Sequence, residues 1–139
     1  MEQRLSMITL GISDLQASID FYSNVFGWKK IESDNYDIAF FQLNGIQFAL
    51  YDRVRLAEDA TIDPEGSGFK GFTLAYNARS EKEVEEIVSD LRVKGVRIIK
   101  IPQKVFWGGY NSYVADPDDN LWEIAFNPFL SIDAPGNIK

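Results

Sequence analysis

The sequence contains no cysteine and no histidine. Without cysteine it has no disulfide framework, no thiolate nucleophile and no sulfur-ligated metal. Without histidine it has no His-based catalytic triad, no imidazole proton relay and no imidazole-ligated metal site. Any catalysis must therefore rest on carboxylates, lysine, tyrosine, hydroxyl groups or an external cofactor.

Long apolar runs are also missing, and charged residues such as Glu2, Asp14 and Asp20 interrupt the amino-terminal region. We therefore expect no signal peptide, no membrane partner and a cytoplasmic protein. The formal net charge is −7, so a nucleic acid would meet repulsion rather than release its counterions. This disfavours a nucleic-acid partner.

The 139 residues are 45% apolar and 14% aromatic, which is typical of one folded domain. Alternation over Met7–Ile12 predicts a half-buried strand. Apolar residues from Leu15 to Phe26 recur at helical spacing, which predicts a helix with a capping box at Ser13 and an end at Gly27. Three strands then follow at Trp28–Ser33, Asp37–Leu43 and Ile46–Arg53, with a hairpin turn at Asn44-Gly45.

The same order of elements recurs in the second half. Alternation over 71–76 predicts a strand, and Ser80 with Glu83 predicts the start of a helix that Gly95 ends. The later strands are predicted at Val96–Ile101, Tyr110–Ala115 and Leu121–Phe126.

These patterns predict an α+β domain over residues 5–128, made of two βαβββ modules at about 5–54 and 69–128. Residues 55–68 read as a linker and 129–139 as a poorly ordered tail. We expect the strands to form a curved mixed sheet around a cup, with the helices outside. The cup is expected because one face of the strands carries large apolar residues and the other carries small ones. The small residues are Thr9, Gly11, Ala49, Thr73, Ala75 and Ala125.

Two stretches resemble the vicinal oxygen chelate superfamily, which comprises glyoxalases, bleomycin-resistance proteins and dioxygenases. The first runs from Ser13-Asp14-Leu15 through Phe21-Tyr22 to Phe26-Gly27-Trp28 and resembles the superfamily's first module. The second, Asp116 to Glu123, resembles its closing hairpin, and Phe106–Tyr110 is similar to a glyoxalase-like subgroup. The resemblance covers residues 5–128 and implies a paired βαβββ fold, often dimeric, whose cup holds a divalent metal in many members.

The family's metal positions fall on Met7, Ala49, Gly71 and Glu123. Of these only Glu123 is able to bind a hard cation, and a divalent site wants several oxygen or nitrogen ligands. We therefore expect no cofactor and no metal site; a divalent ion held by Glu123, waters and a substrate would be weakly bound.

Glu123 is the candidate catalytic and ligand-binding residue, because it should point into the cup with Ala125; the alternative is a structural ion pair. Trp107, Gly108, Gly109 and Tyr110 are candidates for an aromatic wall, or else close the barrel end or a dimer contact. Further ligand candidates are Tyr51, Tyr113 and Phe41. Lys100, Lys104 and Arg53 are cations that an anionic substrate would meet, although single surface cations usually do nothing specific.

Three functions remain open on the sequence. The first is metal-free binding of a small apolar or aromatic molecule in the cup. The second is a lyase, isomerase or ring-cleaving dioxygenase that uses a remodelled metal site or Glu123 as general base. The third is a homodimeric interaction module, since exposed strand edges and aromatic residues favour pairing.

Overall fold

The computed structural model describes residues 1–3 and 5–138 and divides the chain into two compact units, Met1–Gly68 and Phe69–Lys139. The second unit begins where the sequence predicts the second module, at residue 69. Each unit contains one mixed β-sheet and at least one helix, so the predicted α+β class is confirmed.

The first unit contains a three-stranded sheet in the order β1-β3-β2, in which β1 and β3 are parallel and β2 and β3 antiparallel. The predicted strand Trp28–Ser33 is wrong, because this segment makes only a single β-bridge, between Lys30 and Phe41. The elements of this unit are β1 (Met7–Ile12), α1 (Leu15–Asp20), a π-helical turn (Phe21–Val25), β2 (Ile38–Gln42), β3 (Gln47–Asp52) and α2 (Arg53–Asp59).

The N-cap of helix α1 lies one residue later than the predicted cap at Ser13. Asp14 has the extended backbone of an N-cap, and its carboxylate accepts the Ala17 N–H at 2.9 Å. The π-helical turn then leads to Gly27, whose φ of +75° suits a residue without a side chain.

Aromatic rings fill the core of the first unit. Tyr22, Phe41 and Phe48 are fully buried, and Trp28 stacks on Tyr22 with ring centroids 5.5 Å apart. Phe41 is therefore a core residue, and its prediction as a ligand contact is wrong.

The second unit contains a four-stranded sheet in the order β4-β7-β6-β5, with β4 and β7 parallel and the other pairs antiparallel. Its elements are β4 (Leu74–Ala78), α3 (Glu81–Val93), β5 (Arg97–Lys104), β6 (Tyr110–Ala115) and β7 (Leu121–Phe126). Strands β6 and β7 have their predicted bounds, whereas β4 begins three residues later than predicted.

Helix α3 packs on one face of the second sheet through a stripe that includes Val84 and Val88. These side chains lie against Ala78 and Ile124, and all four are buried. The predicted cap is confirmed, because the Ser80 hydroxyl accepts the Glu83 N–H at 3.1 Å.

The segments predicted as a linker and a tail contain local structure. Helix α2 occupies the first residues of the linker segment 55–68. In the tail segment, Asp133 accepts the Asn137 N–H at 2.7 Å, and Arg79 donates to the Ala134 carbonyl at 3.0 Å. Within the part of the chain that the structure describes, no helix is long and apolar enough to cross a membrane.

Candidate functional site

Glu123 and its polar neighbours lie on the face of the second sheet that is turned away from α3. The strand register places Glu123 between Ala75 on β4 and Tyr113 on β6, and it pairs Ala125 with Asn111. We call this surface the Glu123 face. Its members are Ala75, Lys100, Asn111, Tyr113, Glu123 and Ala125.

A chain of hydrogen bonds crosses three neighbouring strands of this face. Lys100 Nζ donates to Asn111 Oδ1 at 2.6 Å, and Asn111 Nδ2 donates to Glu123 Oε1 at 2.6 Å. Both partners of the amide are charged, so its orientation is fixed: the oxygen faces the ammonium and the nitrogen faces the carboxylate. Asn111 is 4% exposed, whereas Lys100 and Glu123 are half-buried.

Tyr113 belongs to the same cluster. Burial raises the pKa of the Tyr113 phenol, and the charge of Glu123 and a hydrogen bond to it raise this pKa further. Lys100 Nζ lies 5.8 Å from the centroid of the Tyr113 ring, within cation–π range. The phenol therefore connects the cationic and the anionic end of the cluster.

A β-bulge aims Lys100 at this face. Ile98 pairs with Val114, and the next registered pair is Lys100 with Tyr113, so β5 advances two residues while β6 advances one. Such an irregularity changes the face onto which the following side chain projects. Ile98 packs against the core under α3, and Lys100 reaches Asn111 on the opposite side.

Trp107 lies in the loop between β5 and β6, folded back onto a glycine. A Cβ atom at Gly109 would lie 1.9 Å from the Trp107 ring, so only glycine permits this contact. The loop is closed by hydrogen bonds from Gly108 N–H to the Val105 carbonyl and from Val105 N–H to the Gly109 carbonyl, both of 3.0 Å. Trp107 itself is 36% exposed and remains available for contact.

Tyr110 points to the other side of the sheet. It pairs with Phe126 and packs against the core under α3, where its hydroxyl donates to Glu85. That hydrogen bond is the main reason why the pKa of Tyr110 is raised. The structure therefore does not bring Tyr110 to the Glu123 face.

Tyr51 belongs to the first unit. It lies on β3 between Gly11 and Ile38, on the face opposite the buried residue Leu50. The pKa of Arg55 is raised, first by a hydrogen bond to Asp37 and to a lesser extent by Tyr51. Tyr51 thus has a cation beside it.

Arg53 also lies in the first unit and is engaged locally. Its Nε donates to the Pro64 carbonyl at 2.6 Å, and its Cα would lie 3.2 Å from a Cβ at Gly11. The side chain of Arg53 therefore ties helix α2 to the segment that follows it.

The first unit also contains an open cavity of about 710 Å³, between α1 and the segment before β2. Its volume suits a small molecule, but none of the predicted site residues lines it. Its lining includes Gln16, Ile19, Lys30, Glu32 and Tyr36.

The residues at the family's metal positions do not form a ligand set. Met7 is exposed at the start of β1, Ala49 is completely buried, and Gly71 precedes β4 with a φ of +81°. The residue that pairs with Glu123 on β4 is Ala75, and Gly71 lies outside this strand. Among the described residues, no group of three acidic side chains is placed to hold a metal ion.

The model of the Glyoxalase/Bleomycin resistance protein/Dioxygenase superfamily matches residues 4–124. This chain belongs to that superfamily. A glyoxalase-related enzyme from Fulvimarina pelagi is 38% identical, with a TM-score of 0.88 over 99% of this chain and 98% of that one. The sequence-based resemblance is therefore confirmed.

Two curated proteins of this superfamily type are more distantly similar. The metallothiol transferase FosB of Lysinibacillus sphaericus is 29% identical over 121 residues, which are 87% of this chain and 80% of that protein. A lactoylglutathione lyase of Arabidopsis thaliana is 26% identical over 128 residues. That match covers 88% of this chain but 44% of the plant protein, so the chain spans less than half of its length.

Sequence reasoning missed Asn111, the residue that joins Lys100 to Glu123. A signal for it does exist, because the tight turn at Asp116–Asn120 fixes the register of β6 on β7. Counting back from that turn places Asn111 two residues along the strand from Tyr113, on the same face as Glu123.

Proposed function

We propose that this superfamily member binds a small organic molecule with an apolar or aromatic body at the Glu123 face, without a metal ion. The observation that carries the proposal is the hydrogen-bonded set of Lys100, Asn111 and Glu123 beside the small side chains Ala75 and Ala125. A small number of convergent polar groups among apolar side chains is typical of ligand pockets.

The donor set supports binding without a metal. Glu123 is the one carboxylate among the residues of this face, and its Oε1 already accepts the Asn111 N–H. Ala75 and Ala125 have no atom that could bind a metal ion, and the Asn111 oxygen already accepts a hydrogen bond from the Lys100 ammonium. A divalent cation needs several oxygen or nitrogen ligands in a defined geometry, so these residues do not fit one.

Loop residues extend the proposed site. Trp107 is partly exposed in the loop between β5 and β6, the strands that carry Lys100 and Asn111. Its ring packs on Gly109, next to Gly108. We include these three loop residues as ligand contacts and assign Tyr110 to anchoring the strand on α3. Tyr51 lies in the first unit, on the face of its own sheet that carries Gly11 and Ala49, and its role in ligand binding stays a separate prediction for that unit. We also propose that the protein is a cytoplasmic homodimer.

A catalytic role for Glu123 as general base is the second candidate function. The similarity at 38% identity to a glyoxalase-related enzyme favours it. It predicts a turnover that Glu123→Gln abolishes while the unfolding transition is retained.

The binding proposal is tested by thermal unfolding of EDTA-treated protein with 2-naphthamide, 2-naphthoate and 2-naphthylmethylamine. A ligand at one hundred times its dissociation constant stabilises the native state by about 2.7 kcal/mol, which is a shift of several degrees. Ala75→Phe should abolish the shift, because Ala75 is exposed next to Glu123 and a phenyl group there covers the face.

The matched control is Ser89→Phe on the exposed side of α3, which should retain the shift. If the shift in unfolding temperature persists in Ala75→Phe, the ligand does not bind at this face. A shift that occurs only after a divalent metal is added would overturn metal-independent binding.

A further inference from the structure

The ammonium group of Lys100 has more hydrogen-bonding capacity than its neighbours use. Lysine carries three N–H donors, and Asn111 Oδ1 accepts from this ammonium. Among residues 1–3 and 5–138, the carboxylates that form ion pairs pair with other cations. Lys100 is thus a half-buried cation held by a neutral amide.

Glu123 is in the opposite situation. The Asn111 amide donates to Glu123 Oε1, and burial together with the charge of Glu123 raises the pKa of the nearby Tyr113 phenol, so the two polar neighbours of this carboxylate are neutral groups. The Asn111 side chain stands between this carboxylate and Lys100, and each of its two hydrogen bonds is 2.6 Å long. The charge of Lys100 is therefore only partly compensated by Glu123.

An aromatic surface lies next to the cation. The Tyr113 ring centroid is 5.8 Å from Lys100 Nζ, and Tyr113 is half-buried. A flat ligand ring that packs on Tyr113 would place a short charged substituent near Lys100. Burial of the ring from water and a charge-assisted hydrogen bond would then act together.

We infer that the ligand of the Glu123 face is an organic anion, an aromatic or other apolar carboxylate whose charged group binds Lys100. This inference rests on the proposed binding function and adds the charge of the ligand to it. Lys100 acts as the specificity-determining residue, and Asn111 holds its ammonium group in place.

The test is isothermal titration of EDTA-treated protein with 2-naphthoate and with 2-naphthamide, which share a ring and differ in charge. One charge-assisted hydrogen bond is worth about 1.5–3 kcal/mol, so the carboxylate should bind at least about tenfold more tightly. Lys100→Gln removes the charge but keeps a donor for Asn111, and it should bring the two affinities together. Lys100→Arg should retain the preference for the carboxylate.

Lys104→Gln is the matched control on the same strand, because Lys104 is exposed and lies 3.8 Å from Glu81. It should leave the tenfold preference unchanged. Equal affinities of the two compounds for the wild-type protein would overturn the inference that the ligand is an anion, but not the proposal that a ligand binds at this face. A preference that survives Lys100→Gln would also overturn it, whereas a lack of binding by every compound would overturn the binding function itself.

Discussion

Replacing Asn111 with alanine should destabilise the second unit more than an ordinary polar substitution does. Asn111 is 4% exposed and forms two hydrogen bonds of 2.6 Å, one with the Lys100 ammonium and one with the Glu123 carboxylate. A hydrogen bond to a charged group contributes about 1.5–3 kcal/mol. Because Lys100 and Glu123 are half-buried, water replaces part of each bond, and we expect a loss of about 2–4 kcal/mol in the free energy of unfolding.

The loss is measured by urea unfolding of the wild-type protein, Asn111→Ala, Glu123→Gln and the double variant. Since the amide and the carboxylate contact each other, the two single losses should not add, and a coupling energy of about 0.5–3 kcal/mol is expected. The matched control is Asn24→Ala, an exposed position where the change should stay within about 0.5 kcal/mol.

Two results would refute this reasoning. One is a loss for Asn111→Ala no larger than that for Asn24→Ala. The other is strict additivity of Asn111→Ala and Glu123→Gln, because it would mean that the amide and the carboxylate act independently.

Four further predictions concern other contacts of the second unit. Gly109→Ala should cost about 1–3 kcal/mol in urea unfolding, because the new methyl displaces the indole of Trp107; the same change in a Trp107→Ala background should cost much less. Glu123→Gln should lower the raised pKa of Tyr113 only in part, since burial is its largest cause, as a titration of tyrosinate absorbance would show. The pKa of the Tyr113 phenol is higher in the folded than in the unfolded protein. Its contribution to stability is therefore complete below the unfolded-state pKa of about 10 and is lost as the pH rises through the folded-state pKa. Tyr113→Phe should accordingly lessen the fall in the free energy of unfolding above about pH 10. Ser80→Ala removes the cap of α3 and should cost about 1 kcal/mol in thermal unfolding, with no cost for Ser89→Ala.

The sequence predicts the closing strands well because local chemistry fixes them. The turn between β6 and β7 is held by Asp116, whose carboxylate accepts the backbone N–H groups of Asp118 and Asn120 at 2.9 and 2.8 Å. A turn of this kind sets the register of the strands on either side. The bounds Tyr110–Ala115 and Leu121–Phe126 follow from it.

Two elements of the first unit differ from the sequence-based prediction: one expected strand is not formed, and one helix was not expected. The segment Trp28–Ser33 has strand-forming residues, but it gains a single bridge to β2, and Trp28 packs on Tyr22 instead. Helix α2 was hidden in a hydrophilic segment, where Asp52 caps it by accepting the Arg55 N–H at 2.9 Å. Asp52 is also the last residue of β3, so the apolar alternation of that strand obscures the sign that a helix begins there.

The candidate site was only partly predictable from the sequence. Glu123 could be found by resemblance and by its alternation with Ala125. Lys100 could not be assigned to its face, because a β-bulge breaks the two-residue periodicity of β5. The sequence groups Tyr110 with Trp107 because the two residues are close in the chain, but Tyr110 is the first residue of β6 and its side chain faces α3.

Superfamily membership and the local donor set lead to different expectations for this chain, and the donor set is the more specific of the two. The superfamily model matches residues 4–124, and a fold of this kind hosts different functions because the chemistry depends on the residues of the site. Metal binding depends instead on several ligands in one place, and the strand next to Glu123 offers Ala75. The polar partners of Glu123 come from the other side, through Asn111 to Lys100, and they add a cation where a metal site would need further anionic or neutral ligands. The chemistry of this face is therefore set by β5 and β6 rather than by β4.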